Sequence, residues 1–181
     1  MYWCQDGFDD NLTVDFRSTD FEIEDCMRQI GDRRYDVILV DSFHGYETSL
    51  RDLKSAVDLL TDGGTVIAHD CNPPNEEVTA LHFSPTSWAG VTYKAYLDFV
   101  TEREDLLYFT VDTDWGCGLI CKETAIDNRI DRSRNQLSLW RKLGVDAHET
   151  FQFFEANKVS LLRLITVEQF LNDERLRSCL R

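Results

Sequence analysis

Two apolar runs that do not alternate, joined by one amphipathic helix, constrain this chain more than anything else in it. "YDVILVDS" holds Val37, Ile38, Leu39 and Val40 in succession, and "TVIAHD" follows about 25 residues later. A strand with no polar face must be covered on both sides, which is the condition of a parallel sheet. Between the runs, "YETSLRDLKSAVDLLTDGG" places Leu50, Leu53, Val57 and Leu60 on one stripe, and its double glycine is expected to end the helix. Strand, helix and strand make a βαβ unit.

The flanking segments extend the pattern. "LTVDF" (12–16) reads as a strand. "STDFEIEDCMRQIGD" (18–32) reads as a helix capped by Ser18 or Thr19, with acidic residues in its first turn and Gly31 at its end. "SWAGVTYKAYLDFVTERED" (87–105) reads as a third helix. "LLYFTVDTD" and "GCGLICKE" read as an antiparallel hairpin closed by "DTDWG". The expected fold is an α/β, doubly wound, mostly parallel Rossmann-like sheet with that hairpin at one edge. A polar stretch, "AIDNRIDRSRNQ", divides an α/β domain (1–124) from a linker and helical C-terminal tail (125–181). The tail aromatics Phe151, Phe153 and Phe154 are expected to pack back on the domain.

Composition excludes several classes. A chain of 181 residues, 43% hydrophobic and 12% aromatic, can bury a core. Its net charge of −14, from 33 acidic and 19 basic residues, argues against nucleic acid, whose phosphates require clustered Lys and Arg. No apolar run is long enough to span a bilayer, and the start, "MYWCQDGFDDN", has no secretory n- or h-region. The six cysteines are therefore expected to be mostly reduced, in a cytoplasmic protein. Cys117 and Cys121, spaced C-x3-C, have no neighbouring pair to complete a zinc site.

Ligands of doubly wound sheets sit beyond the carboxyl ends of the strands. Two neighbouring tips would deliver Asp41 and His44 from one side, and His69, Asp70 and Asn72 from the other. Asp41, Asp70 and Asn72 are hard oxygen donors that suit a divalent metal such as Mg²⁺. His44 can take a proton near neutral pH. Asp41 and Asp70 are expected within reach of one shared ligand. His69 is expected to point away, by strand alternation. The plainer readings stay open: Asp41 as a helix cap, His44 as a solvated loop residue, and His69-Asp70 as a local turn before Pro73 and Pro74.

The block "YDVILVDSFHGYETSLRDLKSAVDLLTDGGTVIAHDCNP" resembles the second half of a class I S-adenosylmethionine-dependent methyltransferase, of a broad kind associated with sugar and natural-product O-methylation. The resemblance implies S-adenosylmethionine as cofactor and methyl transfer to a hydroxyl of a small-molecule or sugar acceptor. It implies His44 as catalytic base and Asp41 as a cofactor contact. It also puts Ser18, Thr19, Asp20 and Phe21 near the adenine. The metal-dependent catechol and caffeoyl-CoA O-methyltransferases are similar at Asp41 and Asp70, their metal ligands. His44 stands where they have Lys, and Cys71 where they have Asn, so that Asn72 falls one residue late. The family's Gly-rich cofactor turn has no counterpart, since Gly7 is the only glycine before Gly31. The chain is thus expected to begin near the end of the family's second strand. It should expose a sheet edge that a homodimer would cover, and bind the cofactor weakly by itself. The competing readings are a non-catalytic remnant or scaffolding module, and a metal-dependent phosphohydrolase using His44, His69-Asp70 and Asp112 or Asp114.

Overall fold

The computed structural model describes residues 2–6, 10–14, 31–41, 43–122, 134–145 and 148–180; for residues 2–6, 10–14, 134–136 and 178 it describes the backbone alone. Strands β1 (Tyr2–Asp6), β2 (Asp10–Val14), β3 (Tyr35–Val40), β4 (Leu60–Ala68), β5 (Leu107–Val111), β6 (Cys117–Cys121) and β7 (Leu164–Ile165) form one sheet in the order β2-β1-β3-β4-β6-β5-β7. Helices α1 (Tyr46–Asp58), α2 (Thr92–Glu102), α3 (Arg134–Trp140), α4 (His148–Leu161), α5 (Val167–Asn172) and α6 (Glu174–Arg177) accompany it. This mixed α/β architecture is compatible with a Rossmann-like methyltransferase fold.

The expected βαβ unit is β3-α1-β4. β3 and β4 run parallel, with Val37 opposite Thr65 and Val40 opposite Ala68. The rest of the sheet is less parallel than expected. Among the described residues, two of its six neighbouring pairs are parallel, β3 with β4 and β5 with β7. The free side of β3 is taken by β1, which pairs antiparallel from Tyr2–Val40 to Cys4–Ile38, and β2 folds back on β1. The strand expected over 12–16 lies at 10–14, and β1 was not expected. Five residues, "YWCQD", give too short a pattern to stand out. The helix expected over 18–32 falls almost wholly outside the described residues.

Two helix boundaries differ for reasons that glycine explains. α1 stops at Asp58, and the Gly63-Gly64 pair expected to end it lies inside β4. There Gly63 N–H donates to Lys122 O (3.3 Å) and Lys122 N–H to Gly64 O (3.1 Å), so the pair belongs to the ladder that joins β4 to β6. The third helix begins at Thr92 rather than near Ser87. Gly90 has φ +53, a left-handed conformation that no right-handed helix continues through. Trp88 is consequently a loop residue.

Residues of β5 and β6 divide between two cores by strand alternation. Tyr108 and Ile120 join the larger core with Leu53, Val57, Tyr96, Trp140 and Phe154, beneath α1, α2 and the C-terminal helices. Leu107, Phe109 and Leu119 join a smaller one with Phe170, Leu176 and Cys179. Both faces are covered, which is why "LLYFTV" and "LIC" read as continuous apolar runs. Of the tail aromatics, Phe151 and Phe154 are buried and Phe153 is half-buried. Asp98 ties the tail down: it accepts from Lys94 Nζ (2.6 Å), Tyr46 Oη (2.8 Å) and Trp140 Nε1 (2.8 Å).

Candidate active site at the tips of β3 and β4

The ladder between β3 and β4 ends with His69 N–H donating to Val40 O (3.0 Å), so residues 41 and 69 leave the sheet side by side. From there the two loops converge. One ligand atom from each of Asp41, His44 and Asp70 lies within 4.8 Å of the others. His44 Nε2 is 3.2 Å from Asp70 Oδ2. Asp70 is almost wholly buried, His44 is one-fifth exposed at its side chain, and Asp41 stands at the mouth. Beneath them a narrow cleft is lined by Val40, Ser49, Leu53, Ala68, His69 and Thr92.

His69 does not point away. Its Nδ1 lies 3.6 Å from Asp41 Oδ1 and 3.3 Å from Asp70 Oδ1, and its Nε2 lies 3.1 Å from Asp114 Oδ2. Alternation governs side chains only while the strand lasts, and β4 ends at Ala68. Asp70 then takes φ +59, a left-handed turn that Asp tolerates better than most residues, and this swings both side chains into one cleft.

The two imidazoles are driven apart in basicity. Burial holds the His44 pKa below its ordinary 6.5, outweighing the Asp70 and Asp41 carboxylates that raise it. The His69 pKa is pushed up to about 9, first by the Asp70 carboxylate beside it, against burial, with Asp114 and Asp41 adding to the rise. At pH 7 His44 is neutral and can accept a proton, whereas His69 is a cation among carboxylates. Asp70 Oδ1 is buried, and among the described residues no group meets it with the alignment a hydrogen bond needs.

Asn72 is turned elsewhere. Its Nδ2 donates to Asp112 Oδ1 (3.0 Å), and its buried Oδ1 accepts no hydrogen bond among the described residues. Its backbone is clamped from the hairpin turn: Asn72 N–H donates to Trp115 O (2.6 Å) and Cys71 N–H to Gly116 O (3.0 Å). Cys71 is a buried free thiol under the sheet tip. Ser18, Thr19, Asp20 and Phe21 lie outside the described residues.

Residues 2–71 match the family model of a methyltransferase domain. The match ends at the strand-tip cluster and spans β1, β2 and the β3-α1-β4 unit, supporting a methyltransferase-family domain with methyltransferase-like function. No curated protein and no solved structure matches the chain. Use of S-adenosylmethionine is what such a domain suggests in general. Among the described residues no helix is long and apolar enough to cross a membrane.

Two features escape a reading of the sequence, and another, Asp114, was named there only as a phosphohydrolase candidate. Asp114, from the far hairpin, reaches His69. Gly90 packs on His44: a Cβ there would lie 2.2 Å from His44 O. The rings of Phe43 and Trp88 flank the site, with Trp88 5.4 Å from the His44 ring and 4.9 Å from the Phe43 ring. A glycine in an expected helix was the available signal for the Gly90 contact; the others depend on loop geometry. A larger open concavity on α5 and α6, lined by Ile165, Gln169 and Arg175 among others, holds none of the strand-tip residues.

Proposed function

We propose that this chain is the catalytic side of an S-adenosylmethionine-dependent methyltransferase that methylates a hydroxyl of a small molecule or sugar, with His44 as base. The observation that carries the reading is the His44–Asp70 contact of 3.2 Å at the tips of two parallel strands, within the segment that matches the methyltransferase domain. A neutral His44 with its proton on Nε2 faces Asp70 Oδ2, which leaves the Nδ1 lone pair for an acceptor hydroxyl. Asp70 positions the ring and balances the imidazolium that forms when the proton arrives. The cofactor supplies an already activated sulfonium methyl group, so the chain's task is positioning and proton removal. Asp41, half-exposed at the mouth, suits a hydrogen bond from the cofactor.

Two tests follow from this chemistry. Calorimetric titration with S-adenosylhomocysteine should show weak but saturable binding; none at millimolar ligand would favour the non-catalytic remnant. The pH profile of methyl transfer should be flat near neutrality and fall about tenfold per unit once pH drops below the His44 pKa, itself under 6.5. A profile still rising through pH 8 would assign the proton to another group.

The donor set favours a second reading, in which Asp41, His44 and Asp70 hold a divalent cation. Their ligand atoms are near enough for one ion, and Asp70 Oδ1, which faces His69 Nδ1 at 3.3 Å, is a further oxygen of the same carboxylate. Two carboxylates with an imidazole suit Mn²⁺ better than Mg²⁺, which prefers all-oxygen shells. Such an ion would lower the acceptor's pKa, and His44 would then be ligand rather than base. On that reading Mn²⁺, followed by electron paramagnetic resonance, binds the chain and loses at least about tenfold in affinity in Asp41→Asn. Equal Mn²⁺ binding by the two proteins would exclude Asp41 as a ligand.

A further inference from the structure

A cavity of about 190 Å³ lies where the first turn of α4 approaches the short 3-10 turn at Glu76–Thr79. Tyr93 and Phe151, both buried, make its floor, Leu81 and Val145 its walls, and the more exposed Glu76 and His148 its mouth. It shares no lining residue with the cleft beneath the strand tips. The floor is fixed, because the Tyr93 ring packs on Phe154 at 4.7 Å, Phe151 at 6.1 Å and Trp140 at 6.3 Å. Tyr93 is 2% exposed. Among the described residues its hydroxyl makes no hydrogen bond, and the space it borders is the cavity. Burial raises that hydroxyl's pKa well above its ordinary 10, and the nearby Glu76 carboxylate adds to the rise. Tyr93 is therefore a neutral phenol near a carboxylate that it does not bond. Glu76 Oε1 meets His148 Nδ1, and His148 Nε2 meets the Gln152 amide nitrogen. An uncharged His148 protonated at Nδ1 satisfies both contacts, donating to the carboxylate and accepting from the amide. The carboxylate thus keeps its charge, and among the described residues no Lys or Arg lines the cavity.

We infer that this cavity binds a small organic ammonium ion, whose N–H groups bridge the Tyr93 hydroxyl oxygen and the Glu76 carboxylate. A group that sits between two oxygens must donate to both. An alcohol has one O–H to give and no charge to set against the carboxylate. A carboxylate or phosphate would be repelled by Glu76 and by a chain of net charge −14. Water could donate to both oxygens, but it would leave the Tyr93 and Phe151 rings and the 42% exposed Leu81 wetted. An ammonium on a short apolar stem satisfies the oxygens, covers those side chains and gains the attraction of a cation for aromatic rings. Size limits the stem. A cavity of about 150 Å³ holds benzene, so this one has room for about one ring, or an alkyl chain of similar bulk, beside the nitrogen. The site stands apart from the strand tips and does not rest on the methyltransferase reading.

Titration of the full chain with benzylamine, benzyl alcohol and benzoate at pH 7, followed by calorimetry and saturation-transfer NMR, tests the site. The three probes share a ring and differ in charge. Benzylamine binds saturably, benzyl alcohol at least about tenfold more weakly, and benzoate does not bind. Glu76→Gln weakens benzylamine binding by about tenfold or more, the loss of a charged partner, and Tyr93→Phe by roughly three- to tenfold, the loss of a neutral one. Glu76 is a surface residue and Tyr93→Phe keeps the packed ring, so an unchanged thermal midpoint in either variant confirms that the fold is intact. Asp70→Asn leaves benzylamine binding as in the parent, because the strand-tip carboxylates are not the site. Absence of benzylamine binding, equal affinity for the alcohol, or affinity unchanged in Glu76→Gln would each overturn the assignment. Binding that falls in Asp70→Asn and survives Glu76→Gln would move the cation to the strand tips and overturn it as well.

Discussion

In Asp70→Asn, freed of metal by a chelator, the His69 imidazole titrates more than about one unit below the parent's value of about 9. Asn is the substitution that isolates the charge. It has nearly the shape of Asp, and it tolerates the left-handed φ of +59 at this position as Asp does, whereas Ala would add backbone strain. Asp70 is the first cause of the elevation, so its loss removes the largest share; Asp114 and Asp41 remain and keep His69 somewhat above 6.5. The stability consequence has a definite sign. A histidine whose folded pKa is raised binds its proton more tightly when folded, so its contribution is complete below the unfolded value of 6.5 and is lost as pH climbs through 9. The variant should therefore be less stable than the parent by on the order of 2 kcal/mol near pH 6, after allowance for the solvent that screens a ring about one-quarter exposed, and the gap should narrow above pH 9. NMR titration of the imidazole C–H signals and urea unfolding at the two pH values measure both. A His69 titration unmoved by the substitution would mean that Asp70 does not face it in solution.

How much of this could be read beforehand depends on how local the cause is. The β3-α1-β4 unit is written in residues 35–68, because burial on both faces and a one-sided helix leave marks at every position. Asp41, His44 and Asp70 were legible for the same reason: the ends of two adjacent parallel strands are fixed by the strands themselves. His69 was misread because strand alternation was carried one residue past the strand's end. Trp88 was misread because the helical pattern of 87–105 hid a single glycine, Gly90, whose conformation is set by a contact with His44 some 46 residues away. The antiparallel pairing of β1 with β3 is a contact between strands of ordinary composition, and such pairings leave no local mark. Asp114 and Asp112 were named beside His44 and His69-Asp70 only under the phosphohydrolase reading, without their contacts. They meet His69 and Asn72 because the β5–β6 turn reaches back over the tip of β4, and its sequence announces a turn without announcing its direction.

In that turn a single added methyl group is expected to have a large effect. Gly116→Ala should destabilise the chain by about 2–5 kcal/mol, the combined cost of a side chain at left-handed φ and of overpacking. Gly116 has φ +90. An added Cβ would lie 2.4 Å from the backbone nitrogen of Asn72 and 2.5 Å from its Cβ, distances that real contacts do not reach. The obstacle is backbone, so no side-chain rotation relieves it. Either the turn lifts away or residues 71 and 72 retreat, and each route breaks the hydrogen bonds that Trp115 O and Gly116 O accept from Asn72 and Cys71. The damage should not stop at stability. Asp114 moves with the turn, so His69 loses its contact at Nε2, and Asp70, adjacent to Cys71, loses the anchor that sets its left-handed conformation. For a chain of this length the expected drop in thermal midpoint is roughly 10 °C, measured by calorimetry, with His69 titrating lower in whatever fraction remains folded. Gly63→Ala is the matched control. Gly63 also has a left-handed φ, +82, but a Cβ there meets nothing within 4 Å, so it carries the strain without the clash. Equal losses in the two variants would assign the whole effect to backbone conformation and remove the hairpin turn from the architecture of the site.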